Sequence, residues 1–278
     1  MIGPEQRWRW REPKTAHGLF CPNGFDVRVI DYRPAREFVT AHHYSGTYPA
    51  ARLQVGIFDY VNELVGVAVF SVPASQKVIP KWCGLESYKG VELGRFVLLD
   101  EVGYNAESWF LARAFDAVRS ELGDVRAILS FTDPAVWPDF GRYEPPGHVG
   151  TIYKAISSRY VGRANPKTLL IGSVSGRPVS PRALSKLRTG DSGRDYARRI
   201  LEREFGPGSS DDRIYLREVR DRARRVRHPG NHAFVWPVGR GRGRRHRNRD
   251  AAAIMEGFPI ALTPPKEVDV VDLRNVTA

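Results

Sequence analysis

Short apolar runs along the chain predict a series of β-strands. The runs are rich in branched and aromatic residues, and they end at glycine, proline, asparagine or aspartate, which interrupt strand pairing. The predicted strands cover residues 26–31, 52–60, 64–70, 92–99, 125–131, 168–172 and 232–238. Only Val61-Asn62-Glu63 separates the second strand from the third, and this short connection predicts an antiparallel hairpin.

Apolar residues three or four positions apart predict helices between these strands. The clearest helix carries an apolar stripe from Phe110 to Leu122, with Asn105 or Ser108 as its N-cap and Gly123 as its end. A short helix is also predicted over residues 34–42. This alternation of strands and helices favours a mixed α/β sheet.

The region after residue 177 predicts mostly helices. Ser180 and Pro181 are typical of a helix start, and Thr189-Gly190 predicts a break before a second short helix that ends near Phe205. Two helices about a glycine turn are typical of a DNA-contacting helix-turn-helix, and a purely structural helical hairpin fits the same pattern. Residues 211–228 are predicted as one charged helix.

Positive charge is concentrated in the same region. The formal net charge is +12, and residues 177–249 contain 21 Lys/Arg against 8 Asp/Glu, so the rest of the chain is nearly neutral. Twenty of these cations are arginines, whose planar guanidinium groups suit phosphate oxygens and guanine edges. We therefore predict a polyanionic partner, with a solvated basic surface as the alternative. The predicted nucleic-acid contacts are Arg182, Lys186, Arg188, Arg194, Arg198, Arg199, Arg224 and Arg225.

Other features of composition exclude several classes of protein. No run of 18 apolar residues is present, and the first ten residues lack the apolar core of a signal peptide. Cys21 and Cys83 are too few for a disulfide framework and do not form a Cys-x-x-Cys pair. We therefore expect a cytoplasmic protein that does not enter a membrane and has no cysteine zinc site. The oligomeric state is not predicted.

The motif Ser130-Phe131-Thr132-Asp133-Pro134 places a carboxylate where a strand ends. Proline has no N–H to donate to a neighbouring strand, so Asp133 is predicted at the carboxyl edge of the strand. Pro145-Pro146-Gly147 then predicts a turn, and the glycines on either side of His148 would allow the backbone to approach a ligand. Tyr153 follows on a predicted short helix.

Together with three other motifs, this segment resembles the phage Mom family of DNA-modifying enzymes, in the GNAT acyltransferase superfamily. The motifs are His42-His43-Tyr44-Ser45, E-L-G-R-F-V-L-L-D at 92–100, N-A-E-S-W-F at 105–110 and G-H-V-G-T-I-Y-K-A at 147–155. The resemblance covers roughly residues 37–172. It implies a GNAT-like, mostly antiparallel sheet flanked by helices. It also implies a transferase that converts the N6 amine of adenine in double-stranded DNA to an acetamido (carbamoylmethyl) form, which protects phage DNA from host restriction.

The resemblance also implies roles for individual residues. Asp133 would be the proton acceptor or would orient it, with a loop-capping role as the alternative. Tyr44 and Tyr153 would stack on an extruded base or donate a proton, unless they are core tyrosines. The implied catalytic residues are Asp133, Tyr153, Tyr44, His43, Ser108 and Arg95. Acetyl-CoA or a related acyl-CoA would lie along Arg95, Val97, Asn105 and Ser108, although Ser108 also fits as a simple helix cap.

Two departures from the GNAT pattern bear on these roles. The glycine-rich pyrophosphate loop is missing, and Gly103 is the single glycine at the corresponding place. The insertion after Pro134 carries Trp137, Phe140 and Tyr143, which would act as a wedge beside an extruded adenine or as a plug for the loop. The sequence does not identify a metal site for iron or another metal. His42 and His43 could serve as ligands, but His148 is the only obvious third ligand.

The sequence thus predicts four segments. Residues 1–24 form an irregular lead-in, residues 25–176 a GNAT-like catalytic core, residues 177–238 a basic helical DNA-binding segment with a returning strand, and residues 239–278 a basic, flexible tail. Two other functions fit the same residues. One is a GNAT acyltransferase that acts on RNA, protein or a small molecule, and the other is a non-enzymatic DNA-binding protein with a degenerate core.

Overall fold

A computed structural model describes residues 19–103, 105–137, 147–266 and 269–273. These residues form two compact units. The first unit takes the described residues up to 132 together with 149–163 and 232–266, and the second takes those in 133–148, 164–231 and from 267 onwards. Each unit is therefore built from separate stretches of chain, whereas the sequence predicts contiguous segments.

The first unit contains a seven-stranded sheet in the order β1-β2-β3-β4-β5-β10-β7. Its neighbouring strands are antiparallel except for β4 and β5, which are parallel. The predicted mixed, mostly antiparallel sheet and the hairpin between β2 and β3 are confirmed. In chain order the strands are β1 (Asp26–Val29), β2 (Ala51–Phe58), β3 (Leu64–Ser71), β4 (Gly90–Leu98), β5 (Ala127–Thr132), β6 (Ala135–Val136), β7 (Arg159–Arg163), β8 (Lys167–Ile171), β9 (Arg224–His228), β10 (His232–Pro237) and β11 (Val271–Asp272).

Eight α-helices and one short 3-10 helix, Ser87–Lys89, lie within the described residues. The α-helices are α1 (Tyr32–His42), α2 (Val78–Cys83), α3 (Ala106–Glu121), α4 (Thr151–Ala155), α5 (Pro181–Thr189), α6 (Arg194–Phe205), α7 (Asp212–Arg222) and α8 (Gly243–Gly257). No helix in this part of the chain has the length and apolarity needed to cross a bilayer.

Helix α3 confirms the apolar stripe and shows how its ends form. Phe110, Ala114 and Val118 are fully buried in the core of the first unit, together with Phe70 and Phe234 from the sheet. Burial of a phenylalanine or valine side chain stabilises the fold by roughly 1.5–3 kcal/mol. Asn105 occupies the N-cap with a left-handed backbone and makes no capping bond through its side chain. The helix ends at Glu121, just before the predicted end at Gly123.

Strand β4 changes its pairing partway along its length. Its register against β3 shifts between Val69 and Phe70, which leaves Gly94 as an additional residue in β4. A Cβ at position 94 would collide with the Ser71 hydroxyl, so this bulge requires glycine. Pairing of β4 with β5 runs only as far as Glu92 opposite Leu129. Beyond this point the two strands separate.

The second unit has its own core and two small sheets. Strands β8 and β9 pair antiparallel, and β6 and β11 pair parallel. Helices α5, α6 and α7 bury an apolar cluster that includes Leu187, Leu201, Tyr215 and Val219. The two predicted helices about a glycine turn are confirmed as α5 and α6, and Gly190 adopts the left-handed conformation that ends α5.

Two predictions about these elements are wrong, and one strand is not predicted. The strand predicted at 168–172 is not part of the large sheet, because it pairs with β9. The helix predicted over 211–228 ends at Arg222. The residues after Ala223 form β9, where Val226 and His228 are buried and Arg225 and Arg227 are exposed, in the two-residue period of a strand. Strand β7 is not predicted, although it lies beside β10 in the large sheet.

The basic run after residue 239 is not a featureless tail within the described residues, because most of it lies in α8. Arg126 contacts both carboxylate oxygens of Asp250, at 2.8 and 2.7 Å. Arg159 donates a 2.6 Å hydrogen bond to the Met255 carbonyl. These contacts hold both the middle and the end of α8 on the first unit. The lead-in residues Trp8 and Trp10 lie outside the described residues, as do Phe140, Tyr143, Pro145 and Pro146.

Candidate active site

The candidate active site lies in the first unit, where β4 and β5 separate. The Ser130 hydroxyl oxygen is 3.0 Å from the Leu93 carbonyl oxygen of β4 and 3.0 Å from the Tyr153 hydroxyl of α4. A serine hydroxyl has one hydrogen, so Ser130 donates to the carbonyl and Tyr153 donates to Ser130. This pair of hydrogen bonds connects three elements at the start of the opening.

The opening leaves part of the β4 backbone without a strand partner. The Leu99 N–H donates to the Val65 carbonyl at 2.9 Å, so alternate residues of β4 direct their backbone groups towards β3. By this alternation the backbone N–H and carbonyl of Val97 point to β3. The backbone groups of Phe96 and Leu98 point to the opening, where no described strand pairs with β4. The backbone amides that face the opening are therefore those of Phe96 and Leu98, whereas the amide of Val97, a predicted cofactor contact, faces β3.

Glu92 is the last β4 residue that pairs with β5, and its side chain is half-buried. Burial raises the pKa of the Glu92 carboxyl above its ordinary value, although the positive charge of Arg95 acts in the opposite direction. Glu92 also interacts electrostatically with Tyr153. Glu92 therefore interacts with both Arg95 and Tyr153, which are predicted catalytic residues. Glu92 itself is not predicted from the sequence.

Arg95 connects this group to the loop after α1. Its guanidinium donates to the Thr47 carbonyl at 3.0 Å and to the Thr47 hydroxyl at 2.7 Å. Burial lowers the pKa of Arg95, and interactions with Tyr44 and Glu92 oppose the shift. The structure thus brings together three predicted catalytic residues, Arg95, Tyr44 and Tyr153, with Glu92 between them.

His43 and Tyr44 form a stacked pair at one side of this group. Their ring centroids are 4.3 Å apart and their planes differ by 29°. The Ser45 N–H donates to His43 Nδ1 at 3.1 Å, and a backbone amide can only donate. Nδ1 is therefore an acceptor, so the ring is neutral and carries its proton on Nε2.

Tyr153 is a core residue whose hydroxyl reaches the site. Its ring makes edge-on contacts with Phe234 and Trp236, at 5.7 and 5.2 Å between centroids. A ring enclosed in this way has no face for an extruded base, so the stacking role predicted for Tyr153 is not supported. Burial raises the pKa of Tyr153, and the charge of Glu92 acts in the same direction, so its hydroxyl stays protonated and can donate.

Asp133 belongs to the second unit, and donors already surround its carboxylate. Oδ1 accepts hydrogen bonds from the Ala135 N–H and from His228 Nε2, both at 2.8 Å, and Oδ2 accepts from Trp137 Nε1 at 3.0 Å. The Gly230 N–H donates to His228 Nδ1 at 3.0 Å, so the histidine is neutral with its proton directed at Asp133.

These bonds weaken Asp133 as a base. Burial acts to raise the pKa of Asp133, but the hydrogen bonds from His228, Trp137 and Ala135 place it below the ordinary value. Trp137 also stacks on His228, with 5.8 Å between ring centroids. The carboxylate thus holds the loop after β5, which favours the loop-capping alternative. Trp137 is correspondingly a plug rather than a wedge.

The comparison with protein families is decisive for identity. The model described as the Mom protein family matches residues 24–228, most of the chain. The chain belongs to the Mom protein family. The match confirms the resemblance carried by the motifs and extends it through α7 and β9 of the second unit. No curated protein matches the sequence.

Solved structures similar to this Mom family member are N-acetyltransferases by their titles. Spermidine/spermine N-acetyltransferase SpeG from Vibrio cholerae, in complex with manganese ions, is 7% identical, with 77% of this chain and 92% of that chain covered and a TM-score of 0.37. The GNAT family N-acetyltransferase YhbS from Escherichia coli, in complex with CoA, is 16% identical, with 44% and 68% covered and a TM-score of 0.29. At TM-scores this low the likeness carries no argument about activity.

Two further predicted groups can be placed in this Mom family member. Ser108 lies in the first turn of α3 and donates to the Asn105 carbonyl at 3.0 Å, so it bonds back to the helix backbone and is not the N-cap, which is Asn105. Within the described residues, no three His, Cys, Asp or Glu side chains lie close enough together to hold a metal ion. His42 packs against Phe38, with 4.6 Å between ring centroids.

The predicted nucleic-acid contacts of the second unit fall into two classes. Arg198 is internal, because it pairs with Glu202 and Asp212 at 2.8 Å each and lies over the Tyr215 ring. Arg194 also pairs with Asp212, at 3.2 Å. Arg194 is nevertheless exposed, as are the arginines at positions 182, 188, 199, 224 and 225, and Lys186 is partly exposed.

The exposed side of α7 carries three more arginines, which are not among the predicted nucleic-acid contacts. Arg213, Arg217 and Arg220 are exposed at positions i, i+4 and i+7, which share one helix face. Arg225 Nη2 donates to the Arg220 carbonyl at 3.3 Å, so the stripe continues onto β9. Arginines at i, i+4 and i+7 share one face of a helix, so this spacing in the sequence could have identified the basic surface of α7.

We expect the substitutions Arg198→Ala and Arg199→Ala to have opposite consequences. Arg198→Ala removes ionic hydrogen bonds from a largely enclosed site and should lower the free energy of unfolding by about 1–3 kcal/mol. Arg199→Ala should leave stability within about 0.5 kcal/mol of wild type, as is usual for exposed positions, and should weaken DNA binding. Urea unfolding and fluorescence anisotropy with a DNA duplex measure the two effects, and equal destabilisation by both variants would contradict this assignment.

Proposed function

We propose that this protein is a transferase that modifies the N6 amine of adenine in double-stranded DNA, with an acetamido (carbamoylmethyl) type of product that protects phage DNA from restriction. Membership of the Mom protein family is the observation that carries the proposal. The polar group at the separation of β4 and β5 supports it, because Glu92, Arg95, Tyr44 and Tyr153 provide the kinds of side chain that such a transfer requires.

Glu92 is the proton acceptor in this proposal. The lone pair of the adenine amine is delocalised into the ring, so the amine attacks an electrophile only if its proton is removed as the new bond forms. A carboxyl group whose pKa is raised towards neutrality is a better base for this step than one whose pKa is lowered. Glu92 meets that condition and Asp133 does not.

The open edge of β4 would hold the donor. An acyl-CoA supplies an activated thioester carbonyl, and the amides of Phe96 and Leu98 are free to donate to its oxygen as negative charge develops. The amides at the start of α3 suit the pyrophosphate, since the N-terminus of a helix attracts anions. The sulfur of CoA leaves as a thiolate, and the Tyr153 hydroxyl, which donates its hydrogen to Ser130, holds Ser130 against the Leu93 carbonyl at the start of the opening. Attack on the thioester carbonyl joins N6 to that carbon, releases the CoA thiolate and gives N6-acetyladenine. In the acetamido product N6 is joined to a CH₂ carbon instead, so that product requires a reaction beyond this acyl transfer and a donor of nitrogen.

Exposed arginines of the second unit would bind the DNA. Charges on α7 and β9 lie on a surface of helix and ribbon, and both kinds of element are used by proteins to contact a duplex. Each arginine that neutralises a phosphate makes binding more sensitive to salt. We therefore expect affinity for a duplex to fall steeply as the salt concentration rises.

Mass spectrometry of nucleosides tests the proposal. DNA from cells that express the full chain is digested, and we expect a deoxyadenosine whose mass is increased by the transferred group. Unchanged adenine would overturn the proposal, and salt-sensitive DNA binding without modification would indicate a non-enzymatic DNA-binding protein. Turnover of acetyl-CoA by purified protein in the absence of DNA would favour an acyltransferase for RNA, protein or a small molecule.

A further inference from the structure

The arginine-rich start of α8 contains two kinds of cation. Arg240 is internal, because its guanidinium donates to the Arg119 carbonyl at 2.6 Å and the Val125 carbonyl at 3.2 Å, near the end of α3. Its backbone N–H donates to Asp250 at 2.6 Å, and the same carboxylate binds Arg126. The carboxylate of Asp250 thus already pairs with Arg126 and Arg240. The first turn of α8 contains no acidic residue that could pair with the arginines that follow Arg240.

These arginines lie at the N-terminus of α8, where positive charge lowers the stability of a helix. The N-terminus of a helix carries partial positive charge and is stabilised by acidic residues. Helix α8 places exposed arginines at 242, 244, 245 and 249 around this end, with the partly exposed Arg247 among them. Helix stability therefore does not explain their presence, and their combined potential attracts an anion.

A cavity lies against one face of this cluster. Its volume is about 750 Å³, and its lining includes Arg242, His246 and Arg249 together with the Arg126–Asp250 pair. Arg242 and Arg249 line this cavity, and Arg245 lies beside them, because residues at i, i+3 and i+7 are neighbours on the surface of a helix. Arg126 and Arg119 also act, after burial, to lower the pKa of Arg240, as expected where positive charges are crowded.

We infer that Arg242, Arg245 and Arg249 bind the phosphate backbone of duplex DNA on the first unit, which also holds the candidate active site. The inference rests on the proposed function for the identity of the polyanion. Eight residues of helix, from 242 to 249, span about 11 Å at 1.5 Å per residue, which is enough to follow consecutive phosphates of one strand. The surface provides phosphate contacts and no base reading, so it adds affinity without adding sequence preference.

The test compares two variants of the full chain that differ only in the face of α8. The first is Arg242→Gln/Arg245→Gln/Arg249→Gln, and the control is Arg244→Gln/Arg247→Gln, which removes charge from the opposite face of the same helix. Binding of a 20-base-pair duplex is followed by anisotropy over a range of salt concentrations. Each lost phosphate contact reduces the salt slope by about 0.9, so we expect the slope to fall by about 2–3 in the first variant and to change little in the control.

Other outcomes separate the possible sources of phosphate. Calorimetry with acetyl-CoA and with inorganic phosphate shows whether the same face binds a small anion, and a loss of that binding with an unchanged salt slope for DNA would overturn the inference. An equal loss of DNA affinity in the control would overturn it as well. Failure of the wild-type protein to modify adenine would contradict the proposed function, whereas normal modification with an unchanged salt slope in the triple variant contradicts only this inference.

Discussion

Glu92→Gln should lower the rate of adenine modification by about 10²- to 10⁴-fold, the usual contribution of a positioned general base. Glutamine keeps the size of the side chain and its place between Arg95 and Tyr153, but it cannot accept a proton. Single-turnover modification of an oligonucleotide, followed by mass spectrometry, measures the rate. Glu63→Gln, at an exposed position on the β2–β3 hairpin of the same sheet, is the matched control and should retain wild-type activity.

The pH dependence and the stability of this variant test the same assignment. Folding raises the pKa of Glu92, so the folded state becomes relatively less stable as pH rises through that pKa, while the active carboxylate form becomes populated. The wild-type rate should therefore rise with pH, and Glu92→Gln should lose that dependence. Its free energy of unfolding at pH 7 should equal or exceed that of wild type. A normal rate in Glu92→Gln would eliminate Glu92 as the base.

Asp133→Asn should destabilise the protein by about 2–4 kcal/mol, because a largely enclosed carboxylate that accepts three hydrogen bonds is replaced by a group that must donate with one end. Whichever way the amide is turned, its NH₂ meets a donor. His228 cannot adapt by changing its tautomer, because its Nδ1 already accepts from Gly230. Urea unfolding measures the loss, and Asp221→Asn, at an exposed position of the same unit, is the control.

The result for Asp133→Asn separates two roles for this residue. If Asp133 holds the loop after β5, the variant loses stability, and the protein that remains folded at low temperature keeps a measurable rate. If Asp133 is the base, stability stays near that of wild type and the rate falls as far as in Glu92→Gln. The second result would restore Asp133 to the role that the motif suggested and would contradict its lowered pKa.

Local patterns predicted most of the elements of the first unit. Strand β3 is a continuous apolar run because both of its faces are buried, and the apolar stripe of helix α3 matches the face that it buries. The pairing of the strands was harder to predict, because alternating apolar residues indicate a strand but do not indicate which strand it pairs with. The strand at 168–172 was therefore assigned to the wrong sheet. Helix α8 was not predicted because its arginine run is typical of disorder, and the Arg126–Asp250 pair that holds it joins residues far apart in the sequence.

The candidate site was only partly visible in the sequence for a similar reason. The motifs identified Tyr44, Arg95 and Tyr153, and the structure groups them. Glu92 lies inside one of those motifs but appears as a polar position in an apolar strand, and its burial becomes apparent only when β5 and α4 pack beside it. The bonds that constrain Asp133 involve His228, which is distant in the chain and has no recognisable spacing from it.

The pairing of β7 with β10 places the two ends of a long excursion side by side. Arg163 lies opposite His232, and the Ala164 N–H bonds to the Asn231 carbonyl at 2.8 Å, so everything from 164 to 231 leaves and re-enters the sheet at a single hairpin. Changes in the length of such a connection cost the two strands little, because the entropy of loop closure grows slowly with length. The β7–β10 pair could thus keep its place in the sheet while the segment that it joins changes in length.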